Sequence, residues 1–472
     1  MEVQSCSLSP SRLPRVAVVG SGAIGLTLFG KLVSLYRASS QSFFSSLTLV
    51  CRTEENARWI TSRGGIALYH ASKTETPATC ASGDLEWCAL QPPAVNVVDQ
   101  QRFAETPVDL ALVCVKSHQV ESVAPLLRRM FERHREAGVV VPLCNGIGHV
   151  ARLATALPAD VAVLPAVTYL AAERIERHTV KIHGAGATYV LVRGSSHASM
   201  ETRPKQAINA FSREACNAAN TADQTERLRT LPASEGVGAT RLPAPAPNAS
   251  SSPALPVVTG QAALAYPVGT MLQPETLRAT RRFQDDMHSE PWGPALHLSA
   301  AQCRLLDEDR GLCAWLNAAR LGPALVTNDE RPFVEKLAVN CGVNAVATLL
   351  GVRNGELLHL PDAWQVTESA AMEVATLFGL PHASIGPRLR QIVEATSGNV
   401  NSMLSDVLAG RVTEVDALNG AVARLSISRT NRPSVVNATL AALVRALSQR
   451  QHQAECCIAT PQQTHPPDTI HR

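Results

Sequence analysis

Lys336, Asn340 and Asn344 stand at i, i+4 and i+8 in the run KLAVNCGVN. On a helix all three share one face. Their neighbours are almost all apolar. A polar stripe on an otherwise apolar helix faces either solvent or a polar site. Two asparagines inside a helix are locally unfavourable, which favours the site, because positions that break local rules tend to be functional. An ammonium there can stabilise charge developing on a carbonyl oxygen and hand it a proton. Downstream, Ser402 could bind an anion through its hydroxyl, and Glu414 could pair with Lys336. The same stretch has a plainer reading: Thr413-x-x-Asp416 as a helix capping box, with Glu414 complementing a helix dipole.

A second group of residues points to a nucleotide. Gly20-Ser21-Gly22-Ala23-Ile24-Gly25 follows the apolar run RVAVV and precedes LTLFGKLVSLY. In that strand–turn–helix order, Gly20 permits the tight turn, Gly22 lets backbone approach a pyrophosphate, and Gly25 lets helix and strand pack closely. The helix N-terminus then offers free N–H groups to the phosphates. The next strand, LTLVC, ends at Arg52, where an arginine suits the 2′-phosphate of NADP and a carboxylate would suit NAD. Glu54 and Glu55 follow closely, and a solvated surface arginine is the bland alternative. Lys116 follows LALVCV, and Asn145-Gly146 follows GVVVPLC. Ligands of open α/β sheets lie outside the carboxyl ends of the strands, although each of these residues alone could be an ordinary turn residue.

These residues need elements to hold them. Short β-branched runs alternate with helical stretches from Arg15 to about Val192, which predicts a doubly wound sheet covered on both faces. From about residue 194 to 298 proline, alanine, serine, threonine and asparagine dominate, which predicts a low-complexity insert, largely disordered, with a more apolar run at 257–272 that could be locally ordered. From 299 to 450 the apolar spacing is helical. The expected organisation is therefore a leader (1–14), a Rossmann-type NADP-binding domain (15–193), the insert (194–298), an all-helical substrate and catalytic domain (299–450) and a frayed polar tail (451–472).

Bulk properties exclude more than they assign. A chain of 472 residues with net charge +3 carries no concentrated basic stripe, so nucleic acid is not an expected partner. Its 12 cysteines are irregularly spaced, with no paired CxxC or CxxC…HxxxH pattern. That argues against a metal site and suits a reducing compartment. No secretory h-region opens the chain, and no run reaches the ~20 apolar residues that span a bilayer. Cytoplasm is the default expectation, with no membrane partner.

The motifs VAVVGSGAIG, LALVCVKSHQV, LCNGIG, FVEKLAVNCGVNAVATLLGVRNGEL and SMLSDVLAGRVTEVDALNG, in this order, resemble those of the ketopantoate reductase family. The resemblance covers about residues 15–193 and 320–425. It implies reduction of 2-dehydropantoate to pantoate with NADPH, a step of pantothenate and coenzyme A biosynthesis. It implies that Lys336 is the catalytic lysine and Glu414 the active-site glutamate. Asn340 and Asn344 would bind substrate, and Ser402 would hold its carboxylate. Arg52 would read the 2′-phosphate, with Lys116 and Asn145 between cofactor and substrate. Glu373 matches another family glutamate. The chain departs from the family in the long insert and in a lengthened connection before Arg52. Two other readings stay open: another branched 2-keto acid as substrate, or a non-catalytic NADPH-binding regulatory protein. The expected partner is a small 2-keto acid, and a homodimer stays open.

Overall fold

Five short runs of β-branched and aliphatic residues flank β1 (Arg15–Val19) in one parallel sheet. In the computed structural model, which describes residues 12–38, 43–70, 85–92, 94–103, 106–134, 138–184, 186–193 and 291–459, these are β2 (Ser46–Cys51), β5 (Val95–Asp99), β6 (Leu110–Val113), β7 (Val139–Pro142) and β8 (Ala162–Val163). The order is β5-β2-β1-β6-β7-β8, so the direction of strand addition reverses between β1 and β6. That is the switch point at which open α/β sheets bind ligands. Side chains of β1 alternate between two cores. Val16 and Val18 pack with α1 (Ala23–Ala38), while Ala17 and Val19 pack with α4 (Val120–His134) and α5 (His149–Ala156). Both faces are dry, as the near-continuous apolar strands require. Between these elements lie α2 (Glu54–Arg63) and the single turn α3 (Gln100–Phe103).

Two smaller sheets were not foreseen. β3 (Gly65–His70), β4 (Leu85–Ala89), β10 (Ala171–Glu176) and β11 (Thr179–Gly184) pair in the order β10-β11-β3-β4. β9 (Ala166–Thr168), β12 (Thr188–Leu191) and β13 (Ala324–Thr327) pair in the order β13-β12-β9. The run VAVLPAVTYL, read as one strand, is broken after Val163, and its halves serve different sheets as β8 and β9.

The carboxyl-terminal half is helical but for β13. α8 (Arg331–Leu350), α9 (Pro361–Leu377), α10 (His382–Ala395), α12 (Asn419–Thr430) and α13 (Val435–Ala459) enclose a separate core, with the short α11 (Ser402–Leu408) at its side. The opening of this half differs from expectation. α6 (Ala300–Leu306) and α7 (Leu312–Ala318) send Leu306, Leu312 and Trp315 into the core of the parallel sheet. Trp315 there meets Phe44 edge-on at 5.8 Å. The tail also differs: the last helix runs to Ala459 rather than fraying at 451. Most of the expected insert, with the 257–272 run, lies outside the described residues, yet Trp292 near its end is buried. α8 is long and apolar enough to cross a membrane by length and composition, contrary to the expectation of no such run. Its window is 67% buried inside the protein, which makes it a core helix.

Candidate active site

Gly20 leaves β1 with φ +113°, a conformation that needs glycine, and a Cβ there would press on the Cys114 carbonyl oxygen. At Gly25 a Cβ would run into the backbone of Gly20, so the turn and α1 touch directly. Gly22 is different. It is exposed, and a Cβ there would meet only the Cys114 oxygen, at 3.9 Å. Nothing in the protein demands glycine at that position, so the open cradle fits a diphosphate lying against the backbone. Ala23 and Ile24 begin α1, whose first N–H groups have no helical acceptor. The loop is braced from outside: the Asn56 amide donates to the Ser21 hydroxyl at 2.8 Å, and the Arg174 guanidinium donates to the Ser21 carbonyl at 3.1 Å. Arg52 is exposed beyond β2. Glu54 and Glu55 pair with Arg58 and Arg177, each at 2.6 Å.

At the ends of β6 and β7 one carboxylate gathers three groups. Glu414, 5% exposed, accepts from the Ser117 backbone N–H at 3.0 Å and from the Asn145 amide at 2.9 Å. Lys116 lies 3.6 Å from Glu414 and 2.8 Å from Asp406. Burial pulls the Lys116 pKa down, but Glu414 and Asp406 outweigh it and hold the ammonium above its usual value. Asp406 is also held by Arg411 at 3.0 Å. The helical half thus clamps both strand ends. The same loop donates from Ile147 N–H to the Ala417 carbonyl at 3.0 Å.

Lys336 sits in an adjoining cleft, lined also by Asn145, Asn340, Pro165 and Phe333. Its ammonium donates to the Thr168 carbonyl at 2.6 Å and lies 5.9 Å from the Tyr169 ring centroid. Glu414 is not its ion-pair partner, contrary to the expectation, because that carboxylate is already engaged by Lys116, Asn145 and Ser117. Burial lowers the Lys336 pKa to about 8, against a smaller opposing pull from Glu414. Desolvation therefore outweighs the nearby carboxylate.

The stripe is only partly kept. Residues Asn340–Asn344 form a π-turn inside α8. Asn340 lines the cleft with Lys336, whereas buried Asn344 does not. The turn is anchored: the amide of fully buried Asn419 donates to the Cys341 carbonyl at 2.8 Å. Ser402 is exposed in the first turn of α11, which is capped by Asn401, and it is not in the cleft. The capping box suggested for Thr413 and Asp416 does not form; α12 starts at Asn419, and Asp416 instead pairs with Arg445 at 2.7 Å. Glu373 has a structural task, accepting from the Val436 and Asn437 backbone N–H groups, each at 2.9 Å.

Sequence reasoning missed Asp406, although it stands in a quoted motif, and it missed His149 and Trp292, which line the Lys336 cleft. Only the expectation that polar residues follow strand ends could have drawn attention to His149.

Residues 16–192 match the family described as ketopantoate reductase PanE/ApbA, and residues 331–448 match its C-terminal region, together more than half of the chain. Over 130 residues the chain is 37% identical to 2-dehydropantoate 2-reductase of Halobacterium salinarum, a stretch covering 27% of this chain and 42% of that protein. The match thus spans less than half the length of that curated relative. In fold the chain is similar to a PanE/ApbA family ketopantoate reductase of Ralstonia eutropha JMP134 (TM-score 0.56, 20% identity, 93% of this chain and 99% of that one). It is also similar to a D-mandelate dehydrogenase solved with NADH and anilino(oxo)acetate (TM-score 0.57, 16% identity, 93% and 99%). With both halves of the family pattern matched on either side of the insert, this chain belongs to the ketopantoate reductase family.

Proposed function

We propose that the protein reduces 2-dehydropantoate to pantoate using NADPH, with Lys336 as the proton donor. The observation that carries this reading is the Lys336 ammonium, held in a cleft at the switch-point side of the sheet with its pKa lowered by burial to about 8. A general acid works best when its pKa lies near the working pH. A bound nicotinamide dinucleotide would supply the hydride. Residues Gly20 to Gly25 would hold its diphosphate, Arg52 its 2′-phosphate, and Lys116 and Asn145 would flank it at the strand ends. Lys336 would stabilise the ketone oxygen as negative charge grows there and then protonate it. Asn340, beside it in the cleft, would orient the substrate. Glu414 would act at one remove, fixing Asn145 and Lys116. Asn344 and Ser402 stand outside the cleft, and their substrate roles rest on their match to the family motifs.

The test is NADPH oxidation by the purified protein with 2-dehydropantoate, followed by the loss of NADPH absorbance. Substrate-dependent oxidation that disappears in Lys336→Ala is expected. Oxidation that survives in the variant would remove Lys336 from the role, and no oxidation by the unaltered chain would remove the activity.

A further inference from the structure

His149, at the start of α5, and Trp292 line the same narrow cleft as Lys336, and they are 3% and 4% exposed. Among the described residues neither His149 Nδ1 nor Trp292 Nε1 has a hydrogen-bond partner. The two segments are packed together: a Cβ on Gly293 would come within 2.6 Å of Val150 Cγ1. A buried polar atom without a partner is costly, and native proteins rarely leave one without a reason. The chemistry of the pair is complementary. An indole N–H can only donate. The imidazole is neutral at any working pH, because burial first, then Arg152 and Lys336, press its pKa down to about 3. A neutral imidazole accepts through its unprotonated nitrogen. A donor and an acceptor in one narrow cleft match a hydroxyl, which accepts and donates at a single oxygen. A carboxylate could only accept and an ammonium could only donate.

We propose that His149 and Trp292 form a hydroxyl-binding subsite of the Lys336 cleft, which selects 2-keto acids that carry a hydroxyl near the reacting carbonyl over their deoxy analogues. This rests on the reductase reading and names its specificity-determining residues.

The experiment compares 2-dehydropantoate with 3,3-dimethyl-2-oxobutanoate, the same skeleton without the hydroxyl, on the full chain and on His149→Phe, Trp292→Phe and His149→Gln. The unaltered chain should prefer the hydroxylated acid by about tenfold or more in kcat/KM, as expected when a buried polar pair is left unmet. His149→Phe and Trp292→Phe should each lose about tenfold on the hydroxylated acid, mainly in KM, and stay within about twofold on the deoxy acid. His149→Gln, which keeps an acceptor, should recover part of the loss. Equal loss on both acids, or no loss on either, overturns the subsite alone. If the unaltered chain reduces neither acid, the reductase reading falls and the subsite falls with it. Trp292→Phe keeps the test open should the His149 variants fail to fold.

Discussion

Two lysines stand near the carboxyl edge of the parallel sheet in opposite surroundings. Lys116 is held between Asp406 and Glu414, and its pKa is raised. Lys336 meets a carbonyl oxygen and an aromatic ring, and its pKa falls to about 8. The same side chain is thus a cation held by carboxylates in one place and a buried cation with a lowered pKa in the other. The pairing of Lys116 joins residues 290 apart in sequence and ties the helical half to the strand ends. Burial of Lys336 keeps its proton loosely held. The difference teaches that the acid proposed here is recognised by the carboxylate it lacks.

The largest expected effect breaks the comparison outright. Lys336→Ala should lower turnover by about 10²–10⁴-fold, as loss of a general acid does, while NADPH still binds, as fluorescence titration would measure. Lys116→Ala should cost far less turnover; equal losses would erase the distinction between the two lysines. Next come the melting temperatures of paired Lys→Met variants, which should move in opposite directions at pH 7. Lys336→Met relieves a buried charge and should stabilise, by at most about 3 kcal/mol for a shift of this size, less about 1 kcal/mol for the lost hydrogen bond. Lys116→Met removes the cation shared by two buried carboxylates and should destabilise by about 1–3 kcal/mol, discounted because its ammonium is partly solvated. The Lys336 gain should shrink between pH 8 and 10.5, since over that window the native amine is neutral while the unfolded one still holds its proton. A smaller effect concerns the cofactor. Arg52→Ala should weaken NADPH by about tenfold, the loss of one charge-assisted contact, and NADH hardly at all; equal weakening would deny Arg52 its phosphate.

What could be read from the sequence was local. Gly20 to Gly25, with strand before and helix after, needs only neighbours in the chain, and the parallel strands announce themselves by unbroken apolar runs. Lys336 was legible because its spacing to Asn340 survives in the helix. The π-turn at Asn340–Asn344 was not legible, because no spacing rule encodes it; it is supported by Asn419, 78 residues away from Cys341. The partner of Glu414 was misjudged for the same reason, since only the folded chain brings Lys116 and Asn145 to it first. Trp292 was hidden by composition, standing at the end of a segment whose prolines and alanines read as disorder. The short strands β3, β4, β9 and β13 mix polar and apolar residues, and pairing partners far along the chain give them their form.

The most direct test of the central claim is the pH profile of 2-keto acid reduction. With Lys336 as the acid, kcat/KM should be level below about pH 8 and fall tenfold per pH unit above it, as the ammonium is lost. Oxidation of the 2-hydroxy acid should rise over the same range, because the neutral amine is then the base. A reduction rate that stays flat from pH 7 to 10 would contradict the account.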